Sequence, residues 1–277
     1  MEKIKIITDS TVDLNKEIIE KYDLEVIPLV VNFGEESYLD GADIDVHEFL
    51  RRIKEEDIFP TTTQINPYRF YEYYKKYIDE GYKIISIHIS SKMSGTYGSA
   101  CIAKEMLGTD DIVVIDSMNV TAGLGLLVIK AAELREKGYN IYEIEEKINE
   151  IIPHVKSAYA FSSLDNLVKG GRLSKTAGAI GSFLGIKLIL ESANGEMAVM
   201  DKVRGTKKAI RRILKELEKM NDKERCILLH IDNYDVLPAL REELNSRQSN
   251  YSECEVGCVV GTHSGPDACG IAYVEKY

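Results

Sequence analysis

Between residues 4 and 137, short apolar runs alternate with segments of helical character, and this alternation constrains the fold more than any other feature of the 277-residue chain. Ile4–Thr8, Val26–Val31, Lys83–Ile89 and Ile112–Asp116 have the length and β-branched content of buried strands. Between them lie Asn15–Tyr22, a segment capped by Asp45 that runs through Arg52, the aromatic-rich Tyr68–Asp79, a helix opened by Ser90–Ser99, and Gly123–Lys137. Strands that are apolar at nearly every position are covered on both faces, and helices between them supply the crossovers of a parallel sheet. Pro60–Gln64 reads as a polar loop.

The pattern is less regular after Asn140. An amphipathic helix, Ile141–Ile152, is stopped by Pro153, and Val155–Phe161 reads as a strand. A short helix, Leu164–Val168, breaks at Gly170-Gly171, and the small residues of Thr176–Leu184 predict another helix. Lys187–Glu191 and Met197–Val203 predict a hairpin around Asn194-Gly195. A charged helix at Thr206–Met220, a strand at Cys226–Ile231, a helix at Pro238–Ser246 and strands at Glu255–Val260 and Gly270–Val274 follow. The fold class expected is α/β in two lobes. Residues 1–155 carry a mainly parallel sheet flanked by helices, and residues 156–277 are mixed α/β.

The formal net charge of −10 opposes binding to nucleic acid or an anionic membrane surface. The densest basic cluster, Lys207, Lys208, Arg211 and Arg212, fits one helix face, either simply solvated or a docking patch for an acidic partner. Five irregularly spaced cysteines form neither a disulfide framework nor a zinc spacing. Asp9, Asp40, Asp43 and Asp116 share no ligand spacing either, so no metal is expected. No stretch of about 20 apolar residues is present to span a membrane. The start, MEKIKIITDS, reads as a strand, not a signal peptide, and a cytoplasmic location is expected.

Four polar segments are candidates for chemistry. Thr8–Thr11 is helix-cap sequence whose Asp9 and Ser10 are also placed to organise neighbouring loops. Thr61–Gln64 offers consecutive hydroxyls that suit a carboxylate, a phosphate or a turn. Ser90–Ser99 leaves an apolar strand and enters a helix, where backbone N–H groups favour an anion facing Ser94, although neither a Walker loop nor G-x-G-x-x-G is present. In Gly261–Asp267, following an expected strand, His263 lies between glycines and suits hydrogen bonding to a carboxylate or acid–base work. His88, inside a strand, reads instead as a structural histidine. Ser94 with His263 leaves hydrolase chemistry open, although the G-x-S-x-G elbow is absent and no acid is evident to orient the histidine.

In order, Thr8-Asp9-Ser10-Thr11-Val12-Asp13-Leu14, Asp40-Gly41-Ala42-Asp43-Ile44, Thr62-Thr63-Gln64, Ser94-Gly95-Thr96-Tyr97, Lys169-Gly170-Gly171-Arg172-Leu173-Ser174 and His263-Ser264-Gly265-Pro266 span nearly the whole chain. This ordered set resembles the DegV family of bacterial fatty-acid-binding proteins. The chain departs from the pattern at Ile65-Asn66, where the family more often has proline directly after the glutamine, and at Asp267, where a small or polar residue is more usual. The resemblance implies one long-chain fatty acid, of the palmitate, stearate or oleate class, buried between or within two lobes. It implies carboxylate donors at Thr62 and Ser94, a network completed by His263, and further contributions from Thr63, Gly95, Thr96 and Gly265. Arg172 and Arg204 would supply charge near the head group, and Thr176–Ser182 with Phe183-Leu184 a tunnel wall. It implies no catalytic residue and no cofactor, and a separate fatty acid kinase that forms an acyl phosphate for phospholipid synthesis. The competing readings are a Ser/His acyl hydrolase, a dihydroxyacetone-kinase-like enzyme, and a scaffold.

Overall fold

The computed structural model describes residues 2–56, 58–173, 185–232 and 235–277. The expected helix Thr176–Leu184 lies outside them.

In chain order the strands of the first half are β1 (Ile4–Asp9), β2 (Leu24–Ile27), β3 (Val30–Phe33), β4 (Glu36–Leu39), β5 (Thr61–Thr63), β6 (Lys83–His88) and β7 (Ile112–Asp116). Those of the second half are β8 (Val155–Phe161), β9 (Ile186–Ala193), β10 (Glu196–Arg204), β11 (Cys226–Ile231), β12 (Tyr251–Glu255) and β13 (Ala268–Val274). The first sheet, β2-β1-β6-β7, is wholly parallel. All six residues of β1 are buried, as two-sided coverage requires. The six-stranded sheet, β10-β9-β8-β13-β11-β12, is mixed, with β11–β12 its parallel pair. The chain is thus α/β with a parallel sheet flanked by helices and a second, mixed sheet.

The helix Thr121–Glu136 packs against β1 and β6 on one side and β8, β11 and β13 on the other. A helix between two sheets has no solvent face, which explains why this one is apolar nearly all round. Residues 121–129 along it are buried without a break.

A third sheet, β4-β3-β5, is antiparallel and was not foreseen. The expected single strand Val26–Val31 is split at Pro28, which has no N–H for a ladder. β2 joins the parallel sheet before the break, and β3 joins the small sheet after it. The Leu29 N–H donates to Ser10 Oγ at 3.1 Å and Arg69 donates to Pro28 O at 2.8 Å, fixing the crossing. Thr61–Thr63, expected as loop, is the edge strand β5.

The second departure concerns the expected strand Glu255–Val260. The strand β12 ends at Glu255, and Cys258–Ser264 is a helix. Its local sequence, rich in valine, favours a strand. The helix is instead started by distant carboxylates: the Gly257 N–H donates to Asp13 Oδ1 and the Cys258 N–H to Asp40 Oδ1, each at 2.9 Å. These satisfy donors that a helix leaves unpaired at its N-terminus. The helix packs against β3, β5 and the helix Asp165–Lys169, which brings residues 258–264 onto the small sheet.

Candidate functional site

A cavity of about 320 Å³ opens between these elements. That is within the roughly 300–1,000 Å³ of small-molecule sites. Its wall draws on both halves of the chain, and most of it is apolar: Leu29, Ile89, Phe161, Leu167, Leu229 and Val256 are among the side chains that face it.

One end is polar. Thr62, Thr63, Gln64, Ser94, Arg172 and His263 line it. Strand alternation turns Thr62 away from Thr61 and Thr63. Thr62 Oγ1 is 2.9 Å from His263 Nε2, while Thr63 Oγ1 accepts from Asn32 Nδ2 at 3.1 Å. Of the two threonines, Thr62 is therefore the one in the histidine network. The Ile65-Asn66 departure falls just beyond: Asn66 caps the helix Pro67–Asp79 by accepting from the Arg69 N–H at 2.9 Å, with Pro67 in its first turn. Gln64, given no separate role from sequence, donates to Ser99 Oγ at 3.2 Å. It lies so close to Gly95 that a Cβ there would stand 2.1 Å from Gln64 Oε1.

His263 is placed in the last turn of its helix, not in a loop after a strand. Its ring packs on Gly170: a Cβ at that glycine would stand 2.2 Å from His263 Nδ1. Gly171 adopts a left-handed φ of 66°, and Arg172 then turns back to donate to Met93 O at 3.2 Å and Gly170 O at 2.6 Å. The glycine pair therefore serves both the histidine and the arginine. Nδ1 of His263 is buried with no hydrogen-bond partner among the described residues. Burial, and secondarily the Arg172 cation, push His263 down from 6.5 to about 4. At neutral pH the ring is uncharged, with one donor and one acceptor nitrogen.

This shift fixes a pH dependence. The folded chain keeps the ring neutral, whereas the unfolded chain binds a proton below about pH 6.5. Stability should fall as pH drops through 6.5, and the loss should level off near 4. Because the side chain is only half-buried by exposure, the expected size is on the order of 2 kcal/mol. Asp13 and Asp40, both raised chiefly by burial, slope the other way. The informative quantity is thus the difference between native protein and His263→Gln, followed by thermal melting from pH 7 to pH 4 in lipid-stripped protein. Parallel curves would contradict the buried neutral histidine.

The other expected contributors have partners within the chain or stand off the cavity wall. The Thr96 N–H and Oγ1 are both taken by Ser94 Oγ, at 3.2 and 2.9 Å. Gly95 does not line the cavity, and the place a Cβ would take there is filled by Gln64. The Gly265 N–H donates to Gly261 O at 2.9 Å and closes the helix. Arg204 is not at the site at all: it ends β10, the outermost strand of the mixed sheet, and is exposed.

Ser94 and His263 are not bonded to one another; Ser94 Oγ meets Thr96 and His263 Nε2 meets Thr62. The nucleophile–base and base–acid contacts of a triad are missing. His88 is structural. Its Nδ1 is 2.9 Å from Asp9 Oδ2, its Nε2 is 2.6 Å from Ser86 Oγ, and Tyr74 donates to that same oxygen at 2.7 Å. Asp9 also accepts from the N–H groups of Thr11 and Ile89, so it ties β1 to β6 below the site. Among the described residues no cluster of metal-binding side chains is found, and no helix is long and apolar enough to cross a membrane.

The chain is similar to known proteins over nearly its whole length. The sequence profile of a family described as uncharacterised protein, DegV family, matches residues 3–276. A DegV domain-containing protein of Clostridium acetobutylicum is 59% identical over 279 residues, covering 100% of both chains. Among solved structures, the DegV protein of Bacillus subtilis, described as a fatty acid binding protein, superposes with a TM-score of 0.88 at 32% identity, covering 100% of each chain. A Thermus thermophilus structure, described as fatty acid binding of a DegV family protein, gives 0.92 at 28% identity, covering 99% of this chain and 100% of that one.

Proposed function

Since the chain belongs to the DegV family, we propose that it binds one long-chain fatty acid in the cavity, carboxylate toward Thr62, Ser94 and His263, and presents it to a separate kinase for acyl-phosphate formation. The observation that carries this reading is the cavity's asymmetry. A cluster of hydroxyls, an imidazole and a guanidinium stands at one end of a mostly apolar space. Each buried methylene of a guest contributes about 0.8 kcal/mol, so fourteen give on the order of 11 kcal/mol before ordering costs. The tail supplies the affinity, and the polar end supplies the orientation. A carboxylate beside apolar walls needs its lone pairs met. Neutral donors do this without a buried lysine, and Arg172 adds a cation at the exposed rim.

Presentation draws support from the same end. Thr63, Gly171 and Arg172 are exposed and Thr62, Ser94 and His263 are half-buried, so a carboxyl held there faces the protein surface. The missing Ser94–His263 bond favours a carrier over a hydrolase.

Titration of lipid-stripped protein with stearate should give one site per chain. Thr62→Ala and Ser94→Ala should each weaken it about tenfold, one hydrogen bond to a charged group. Undiminished affinity in both variants would remove these residues from the head-group site. Addition of a fatty acid kinase and ATP should yield acyl phosphate from the bound lipid; ester hydrolysis by the chain alone would favour the enzyme.

A further inference from the structure

The cavity has a second polar region. Tyr159 and Thr121 both line it, are only 5% and 4% exposed, and their hydroxyl oxygens have no hydrogen-bond partner among the described residues. Ser157 lies near the first and Asp13 near the second, yet neither contact has hydrogen-bond geometry. The Ser157 hydroxyl already accepts from the Ser192 N–H at 2.9 Å. Leaving a buried hydroxyl unsatisfied costs about 1–3 kcal/mol. Thr121 also has a left-handed φ of 50°, an uncommon conformation for a β-branched residue and one that surrounding structure must impose.

The position of this region follows from the helix Cys258–Ser264. Asp13 stands beside Thr121, and its Oδ1 accepts from Gly257 N–H at the start of that helix. His263 is in the last turn. Six residues at 1.5 Å each separate the two ends by about 9 Å. An extended chain advances about 3.5 Å per three bonds, so the second region meets a guest roughly eight bonds from its carboxyl carbon.

We propose that Tyr159 and Thr121 form a polar subsite for a hydroxyl carried in the middle of an acyl chain, so that mid-chain hydroxy fatty acids belong to the ligand class of this protein. The Tyr159 phenol donates to the guest oxygen, and the guest hydroxyl donates to Thr121 Oγ1. The proposal rests on the reading that the carboxylate sits at the His263 end.

The test compares stearate, 10-hydroxystearate and 17-hydroxystearate by calorimetry on lipid-stripped protein. The subsite predicts 10-hydroxystearate at least as tight as stearate, and 17-hydroxystearate weaker than both. Tyr159→Phe and Thr121→Val should each lower the ratio of 10-hydroxystearate affinity to stearate affinity about five- to tenfold. Stearate affinity in the variants reports whether they fold. An apolar wall would instead weaken 10-hydroxystearate more than tenfold relative to stearate in the native protein. That result overturns the subsite while leaving the carboxylate reading standing, as do variants that weaken both lipids equally. Failure of the native protein to bind stearate overturns both.

Discussion

Leu229→Trp should weaken stearate binding by at least about a hundredfold and leave the chain folded. Leu229 lies on β11, is 4% exposed, and faces the cavity. A larger side chain in a filled core forces its neighbours off their rotamers. Here the extra indole atoms enter space that the acyl tail would use. Displacing about four methylenes loses roughly 3 kcal/mol, a factor above one hundred. A short acid such as octanoate should be hindered less, because it needs less depth. Affinity measured alongside the melting temperature separates the effects: a folded variant with undiminished stearate binding would mean that the tail lies elsewhere.

The second large effect is expected at Gly170. Its φ of −76° and ψ of −10° suit any residue, so substitution acts through space alone. Gly170→Ala puts a methyl 2.2 Å from His263 Nδ1 and 3.0 Å from Asn166 O, and the imidazole has to move. With it goes the contact to Thr62 that orients this hydroxyl toward the carboxylate. The expected loss is about ten- to hundredfold in stearate affinity, as for a hydrogen bond to a charged group. Gly171→Ala makes the control. A Cβ there meets nothing within 4 Å, but the backbone is left-handed at φ 66°. That variant should lose about 1 kcal/mol of stability and keep its affinity. If the two alanines behave alike, the packing of Gly170 on His263 has no bearing on binding.

Sequence carried the parallel sheet well because its strands are buried on both faces and need little more than Ile and Val, as in Ile84–Ile87. The hairpin at Asn194-Gly195 was equally legible, since both residues take the positive φ that their types tolerate. The small sheet was not. Three threonines make a strand only because β3 lies beside them. The helix carrying His263 was misread for a related reason: its first N–H groups are capped by Asp13 and Asp40, more than two hundred residues earlier in the chain. Local propensity has no access to such partners.

The site shows the same division. Thr62, Ser94 and His263 stand out in sequence as polar residues between structural elements, Arg172 enters only through the family resemblance, and all four line one cavity. The apolar wall is invisible beforehand, because Leu29, Phe161 and Leu229 look like any other core positions. Tyr159 reads in sequence as one more residue of the strand Val155–Phe161, although a tyrosine in a buried strand must place its hydroxyl somewhere.

The most direct test of the account is denaturing mass spectrometry of lipid extracted from the chain as purified from a bacterial host. One long-chain fatty acid per chain is expected, lost from Leu229→Trp. Protein that carries no stoichiometric lipid, and takes up none after incubation with palmitate, stearate or oleate, would contradict the proposed fatty acid carrier.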